Sequence, residues 1–163
     1  MTRDEILNAI TKSHDEFLAT IADVPDEVIT RARVIDWWSL KDVLGHITFW
    51  YRVAIKFVRE YQKLGVPQPL ELDDPKIDAL NHREAAIRRD YSLTRIRAEF
   101  DAAYRDLLAV TAELSDADVN KVLPAPWNAE QPIALERLIA VNAYEHLPEH
   151  IAQIQKWKSE IGR

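Results

Sequence analysis

The chain has no cysteine, and this absence excludes several kinds of chemistry at once. It rules out disulfides, a thiolate nucleophile, cysteine-ligated zinc and iron–sulfur clusters. Glycine is also scarce, with three residues in 163 and no GxGxxG or GxxxxGKS/T string, so a glycine-rich phosphate loop is excluded. So few glycines disfavour a fold of many tightly turned strands. Any metal must therefore be bound by nitrogen and oxygen ligands, and five histidines supply the nitrogens.

Basic residues are outnumbered, with 21 lysines and arginines against 27 aspartates and glutamates and a net charge of −6. This balance argues against a nucleic-acid partner, which requires a basic surface. No charge-free run approaches the roughly 18–20 residues of a membrane span. The first ten residues, MTRDEILNAI, contain acids where a secretory signal would have an apolar core. We therefore expect a cytoplasmic protein without a membrane partner.

Helical periodicity dominates what is present. The length suits one domain, here residues 1–163, and Thr2 with Glu5 and Ser39 with Asp42 form two capping-box signatures. Apolar residues at helical spacing predict four long helices, near residues 3–21, 40–64, 93–114 and 133–161. A shorter accessory helix is expected at 74–90 and a proline-rich loop at 120–132. The prediction is an all-α four-helix bundle with an accessory helix and long crossover connections.

Three histidines lie on the predicted inward faces of two of these helices. His146 and His150 are four residues apart on the last helix, so their imidazoles share one face. His46 holds the equivalent position on the second helix, between Val43 and Trp50. Three such nitrogens and an open coordination position make a catalytic type of metal site. Histidines that hydrogen-bond within an apolar core explain the same pattern, and the residues alone leave both interpretations open.

Other polar and aromatic residues are candidates for the surroundings of this site. Asn142 extends the histidine face by one helical turn. Glu149 and Tyr51 are candidates for proton transfer because each adjoins a predicted pocket residue. The expected apolar walls are Trp38, Trp50 and Trp127.

The sequence also predicts the positions of two further histidines and the effect of one proline. His14 lies near the inner line of the first helix, at the bundle boundary or as a fourth ligand, and His82 is expected on the surface. Pro148, between the two paired histidines, predicts a kink in the last helix.

Two strings, WSLKDVLGHITFW at 38–50 and NAYEHLPEHIAQIQKW at 142–157, resemble the DinB-like superfamily and, within it, the DfsB/ClbS family. The resemblance implies a four-helix bundle, commonly dimeric, with nickel or zinc bound by the three histidines that correspond to His46, His146 and His150. It also implies enzymes, either thiol-dependent transferases and isomerases or toxin-hydrolysing resistance proteins. Relatives often read NTYEHY where this chain reads NAYEHL, so Leu147 replaces a polar residue.

The leading functional hypothesis is therefore a metal-dependent hydrolase or thiol-dependent transferase that acts on a small molecule in stress or toxin resistance. A thiol route would need an external thiol, because the chain has none. The alternative hypothesis is a non-catalytic homodimeric protein that sequesters a ligand, with the histidines forming a polar network in its core.

Overall fold

The computed structural model describes residues 1–31, 33–70 and 74–162. Within these ranges the elements are α1 (Arg3–Ile21), α2 (Asp26–Arg31), α3 (Leu40–Leu64), α4 (Asp74–Arg88), α5 (Leu93–Ala112), α6 (Asp116–Val119), β1 (Val122–Ala125), β2 (Asn128–Ala134), α7 (Leu135–Ala140) and α8 (Leu147–Glu160). The predicted all-α fold is confirmed, with the addition of one small sheet.

The predicted starts of α1 and α3 are correct because local hydrogen bonds set them. The Glu5 backbone N–H donates to the Thr2 hydroxyl at 3.2 Å, and the Thr2 N–H donates to the Glu5 carboxylate at 2.8 Å. Ser39 and Asp42 form the same reciprocal pair at the start of α3. Gly65, with φ 79°, ends α3 in the left-handed conformation that glycine adopts without strain.

The bundle consists of α1, α3, α5 and the pair α7–α8. α3 packs against α5 and α7, while α1 packs against α5 and α8. Phe17, Phe57 and Phe100 are fully buried between them. Burial of side chains of this size stabilises the fold by roughly 1.5–3 kcal/mol each.

α4 is an addition to the outside of the bundle, where it packs against α3. Arg88 of α4 lies against Gly45 so closely that a Cβ at Gly45 would be 3.0 Å from the arginine Cδ. Because Gly45 has no side chain, α4 can pack close to α3 at this position, which is one residue before His46.

The prediction of one continuous helix over 133–161 is wrong. α7 ends at Ala140 and α8 begins at Leu147. In between, the Glu145 N–H bonds to the Ala140 carbonyl, five residues back, and the His146 N–H bonds to the Ala143 carbonyl, three residues back. Pro148 explains the restart, because it lacks an N–H and its ring would clash with a carbonyl four residues earlier in a continuous helix. In the first turn of α8, that N–H is not needed.

The expected loop at 120–132 is also corrected, because it contains most of an antiparallel hairpin. Leu123 pairs with Ile133 and Pro124 with Pro132, and the register shifts between Pro124 and Ala125. Prolines are compatible with this ribbon because both strands are edges and one side of each donates no ladder hydrogen bond. In the described part of the chain, no helix is long and apolar enough to cross a bilayer.

Candidate metal centre

The three predicted histidines meet where α3 faces the start of α8. His46 lies on the buried side of α3 and is 8% exposed, and His150, in the first turn of α8, is 6% exposed. His146 immediately precedes α8, with helical backbone angles of φ −77° and ψ −41°. The spacing of four therefore places His146 and His150 on one face although the helix breaks just before them.

Their ring nitrogens converge on one point. The Nε2 atom of His146 lies 3.1 Å from Nε2 of His46 and 3.0 Å from Nε2 of His150. Each of the three residues offers one nitrogen, and these nitrogens all lie within 4.8 Å of one another. Side chains 100 residues apart in the chain thus form one cluster.

Burial keeps these imidazoles neutral. It lowers the pKa of His46 to about 2, with smaller contributions from the two neighbouring histidines. Burial likewise lowers the pKa of His146 to about 3, and it lowers the pKa of His150. Neutral imidazole is the form that binds metal ions.

Gln153 fixes the tautomer of one member. Its side-chain oxygen accepts a hydrogen bond from Nδ1 of His150 at 2.9 Å, so the lone pair of that ring is on Nε2, facing the cluster. Nδ1 of His146 is buried and has no hydrogen-bond partner among the residues described. A hydrogen bond on the nitrogen opposite the metal is the usual way a ligand histidine is oriented.

The donor set fits a divalent ion. Two nitrogens bound to one tetrahedral zinc at about 2.0–2.1 Å lie about 3.3 Å apart, close to the spacings between these Nε2 atoms. Three neutral imidazoles suit zinc, nickel, copper or iron, and the donors alone do not select among them. His46, His146 and His150 are therefore the residues that could hold a metal.

One side of the cluster opens into a cavity of about 700 Å³. This volume lies within the range of small-molecule sites. Ten of its twenty lining residues are tryptophan, phenylalanine or aliphatic and ten are polar. They come from α3, α4, α8 and four connecting segments: Ile35, Asp36, Trp37, Trp38, His46, Trp50, Val53, Phe57, Leu70, Ile77, Asp78, Asn81, His82, Trp127, Val141, Asn142, His146, Glu149, His150 and Gln153.

A tight turn between α2 and α3 covers the histidines. Its Val34 N–H bonds to the Trp38 carbonyl at 2.8 Å, and Asp36 has a φ of 51°, which aspartate tolerates better than most residues. The ring of Trp38 lies 4.7 Å from that of His46. The ring of Trp37 stacks on His82 of α4 at 5.2 Å.

The other walls are tied to the bundle by single hydrogen bonds. The Trp50 indole N–H donates to the Asn81 side-chain oxygen at 3.2 Å, which joins α3 to α4. The Leu70 N–H donates to the Pro126 carbonyl at 2.7 Å, beside Trp127 at the hairpin turn. These contacts bring segments from distant parts of the chain around one cavity.

The predicted pocket residues Trp38, Trp50, Trp127 and Asn142 all line this cavity, and so does Glu149. Glu149 is exposed at the cavity wall. The Asn142 amide donates to the Leu138 carbonyl at 2.7 Å, which leaves its side-chain oxygen as the available polar group.

The prediction that Tyr51 contributes a phenol to the pocket is corrected. Tyr51 is completely buried and does not line the cavity. Its ring lies 6.0 Å from Phe100 and 6.5 Å from His14 on the other side of α3, and burial raises the pKa of its hydroxyl. Adjacent helical residues point about 100° apart, so Tyr51 cannot share the direction of Trp50.

His14 also lies apart from the three-histidine cluster. It is 4% exposed and stacks on Tyr104 with 3.6 Å between ring centres and on Phe100 with 4.9 Å. His82 is exposed as expected, yet its stacked ring also lines the cavity. Sequence reasoning missed Gln153, although its position three residues after His150 on a helix was an available signal.

The fold and the cavity define a class of protein, a four-helix bundle with a candidate metal centre between its helices. The sequence model of the DinB superfamily matches residues 9–154. The chain belongs to the DinB superfamily.

Individual relatives agree with this assignment. The chain is 28% identical over 148 residues to the uncharacterized protein YuaE of Bacillus subtilis (strain 168), covering 85% of this chain and 88% of YuaE. It is also similar to the solved structure of DfsB, a sibling lethal factor precursor, with a TM-score of 0.80, 19% identity and coverage of 98% of this chain and 96% of DfsB.

Two other solved structures share the fold at lower identity. The colibactin self-resistance protein ClbS, solved with double-stranded DNA, has a TM-score of 0.80, 12% identity and coverage of 96% of this chain and 95% of its own. A mycothiol-dependent maleylpyruvate isomerase has a TM-score of 0.73 and 8% identity, over 94% of this chain and 61% of its own. Similarities at these identities establish the fold.

Proposed function

We propose that this protein is a metal-dependent enzyme that acts on a small molecule, as a hydrolase or a thiol-dependent transferase in stress or toxin resistance. One observation carries the proposal: three neutral histidines, two buried and one half-buried, direct their Nε2 atoms to one point at the wall of an open cavity. A metal that serves only the fold is usually enclosed by four protein ligands, whereas three ligands beside a cavity leave a position for a substrate.

Different residues of the chain have different roles in this proposal. His46, His146 and His150 hold the ion, nickel or zinc, and Gln153 keeps the His150 ring oriented. When bound, such an ion supplies Lewis acidity toward a reacting group. Trp38 supplies an apolar wall beside His46 at this end of the cavity.

Glu149 is the candidate for proton transfer, because it lines the cavity one residue from a ligand. Its exposure gives it access to solvent, with which a proton can be exchanged. Tyr51 has no part in this proposal, since it does not reach the cavity.

The thiol-dependent version requires a thiol from solution, because the sequence has no cysteine. The cavity has room for two small reactants at about 700 Å³. One structural relative is a mycothiol-dependent isomerase, and another is a colibactin self-resistance protein. These two relatives support a test of thiol transfer and of hydrolysis in parallel.

The test combines metal content with turnover. Protein purified without a histidine tag is analysed for bound nickel and zinc, and a panel of epoxides, cyclopropanes and thiol acceptors is assayed with and without added thiol. We expect about one ion per chain and turnover that His150→Ala abolishes. The matched control is His14→Ala, which removes another buried histidine. We expect this variant to retain both the bound ion and the turnover.

The aromatic walls favour a second candidate function, sequestration of an apolar ligand without chemistry. The same experiment separates the two. Metal below stoichiometric amounts that does not change in His150→Ala would reject the metalloenzyme. Stoichiometric metal with ligand binding but no turnover across the panel would favour sequestration.

The remaining expectations concern assembly and location. We propose that residues 1–163 form one domain, that the protein is a cytoplasmic homodimer and that it has no nucleic-acid partner. Light scattering tests the dimer. Titration with double-stranded DNA, the molecule in the ClbS structure, tests the last point.

A further inference from the structure

The cavity has an unusual balance of charge. Three of its lining residues, Asp36, Asp78 and Glu149, are carboxylates, and none of the described residues that line it is a lysine or an arginine. The chain as a whole has 21 basic residues. Basic side chains are therefore plentiful on this protein and absent from the lining described.

These carboxylates are not neutralised by neighbours. None of the three forms an ion pair with another residue in the described ranges, where other acids do, such as Glu84 with Arg88 and Glu60 with Lys56. All three are exposed, so they lie at the solvent side of the cavity. A low-dielectric wall beside such charges focuses a negative potential into the opening.

Tryptophan is concentrated in the same place. Four of the five tryptophans of the chain line the cavity, namely Trp37, Trp38, Trp50 and Trp127. The face of an indole ring carries negative electrostatic potential and attracts organic cations. Aromatic faces and unpaired carboxylates thus favour the same sign of charge in a ligand.

We propose that this cavity selects organic cations, that is, amines or ammonium compounds with an aromatic or aliphatic body, over neutral and anionic molecules of the same shape. The proposal deepens the proposed function and rests on it in taking this cavity as the ligand site. The body lies against the tryptophans and the ammonium group lies near the carboxylates.

A bound divalent ion would not reverse this preference. Three carboxylates outnumber its two positive charges, so the lining keeps a net negative charge. The three carboxylates are also exposed, whereas His46 and His150 are buried and His146 is half-buried. The ammonium group therefore binds on the solvent side of the ion.

The test compares three probes of equal length, 3-phenylpropylamine, 3-phenylpropanol and 3-phenylpropanoate. Each is titrated at pH 7 and low salt into metal-free protein kept in a chelator, and dissociation constants are measured by calorimetry and tryptophan fluorescence. We expect the amine to bind about tenfold more tightly than the alcohol, and the propanoate most weakly. Added salt should reduce the advantage of the amine.

A triple variant, Asp36→Asn, Asp78→Asn and Glu149→Gln, isolates the contribution of the carboxylates. We expect it to bind the amine and the alcohol within about threefold of each other. Asparagine keeps the backbone of residue 36 accessible, because it also tolerates positive φ. The control triple, Asp101→Asn, Asp106→Asn and Glu113→Gln, makes the same change in net charge on exposed positions outside the cavity and should keep the tenfold preference.

Several results would overturn the proposal. They are equal or tighter binding of the alcohol or the propanoate, no binding of any probe, and a preference that survives in the cavity triple. Failure of the metal proposal looks different, because it appears as a lack of zinc or nickel binding while the amine preference of metal-free protein persists.

Discussion

Histidines occur in two regions on opposite sides of α3, and the two regions differ in what surrounds the imidazole rings. His46 joins His146 and His150 beside an open cavity, with ring nitrogens 3.0–3.1 Å apart. His14 is enclosed by the aromatic rings of Tyr104, Phe100 and Tyr51. Burial lowers the pKa of histidine in both places, so neutrality alone does not identify a ligand.

What separates the two regions is the convergence of lone pairs. At the cavity, three nitrogens can share one ion, and Gln153 orients one ring from behind. Around His14, both Nδ1 of His14 and the Tyr51 hydroxyl are buried without a hydrogen-bond partner among the described residues. The first region is arranged for a ligand and the second for packing.

The largest expected effect follows from replacing one histidine in each region by phenylalanine. His46→Phe should raise the dissociation constant for zinc at least about a thousandfold, since it removes one of three donors and leaves a bulky ring in place. His14→Phe should change that constant less than about threefold, because the ring it replaces is already stacked among aromatics. Competition against a fluorescent zinc chelator measures both constants, and circular dichroism confirms that both variants fold.

An equal loss of zinc affinity in His46→Phe and His14→Phe would contradict the assignment of metal binding to the cavity region alone. Nickel measured in the same way should give the same ranking. A ranking that held for only one of the two ions would show that the donor set selects between them.

A smaller effect is expected when the orienting residue is removed. Gln153→Leu should weaken zinc binding by about 10–100-fold, because residues that hydrogen-bond to ligand histidines typically contribute that much. Gln155→Leu is the matched control, since Gln155 is an exposed glutamine on the same helix. Gln153→Glu, which keeps an acceptor for the His150 ring, should restore most of the affinity. No loss in Gln153→Leu would mean that packing alone orients the ring.

The packing region predicts a stability change without any change in metal binding. Tyr51→Phe removes a buried hydroxyl that has no partner in the part of the chain described, so we expect it to be neutral or to raise the free energy of unfolding by about 1 kcal/mol. Urea unfolding measures this change. A loss of more than about 1 kcal/mol would instead reveal a hydrogen-bonded hydroxyl, for example through a buried water to His14.

The sequence predicted the features that depend on short-range geometry. The pairs Thr2–Glu5 and Ser39–Asp42 located the starts of α1 and α3 because each hydrogen bond spans three residues. The three histidines followed from their spacing and from the apolar faces that carry them.

Features that depend on tertiary contacts escaped the same reasoning. Periodicity did not indicate the restart at Leu147, because His146 keeps helical angles and the apolar pattern continues across the break. Pro148 predicted a kink within one helix, whereas the structure has two separate helices. The hairpin has no glycine in its turn and instead contains proline, which usually argues against a strand. Asn81 and His82 reach the cavity through contacts with Trp50 and Trp37 that no local pattern indicates.

Tyr51 was a different kind of error, because the information needed was local. It follows Trp50 in sequence, but a helix turns adjacent side chains apart, so Tyr51 faces His14 while Trp50 faces the cavity. Consistent use of the helical angle would have assigned Tyr51 to the packing region.

The smallest expected effect concerns acid stability in the packing region. Burial lowers the pKa of His14, opposed in part by the charges of Asp15 and Asp101, and the rings of Tyr51, Tyr104 and Phe100 face it. The unfolded chain takes up a proton as the pH falls through about 6.5 while folded His14 stays neutral. Because the unfolded state then binds more protons, stability falls with decreasing pH until the lowered pKa of folded His14 is reached.

His14→Phe removes this contribution, so its free energy of unfolding should fall less than that of the parent between pH 7 and pH 5. The comparison uses urea unfolding of metal-free protein, in which the cavity histidines contribute equally to both chains. Parallel curves for the parent and His14→Phe would mean that His14 is protonated equally in both states. In that case the aromatic rings would not exclude water from it, and the contrast between the two regions would rest on donor convergence alone.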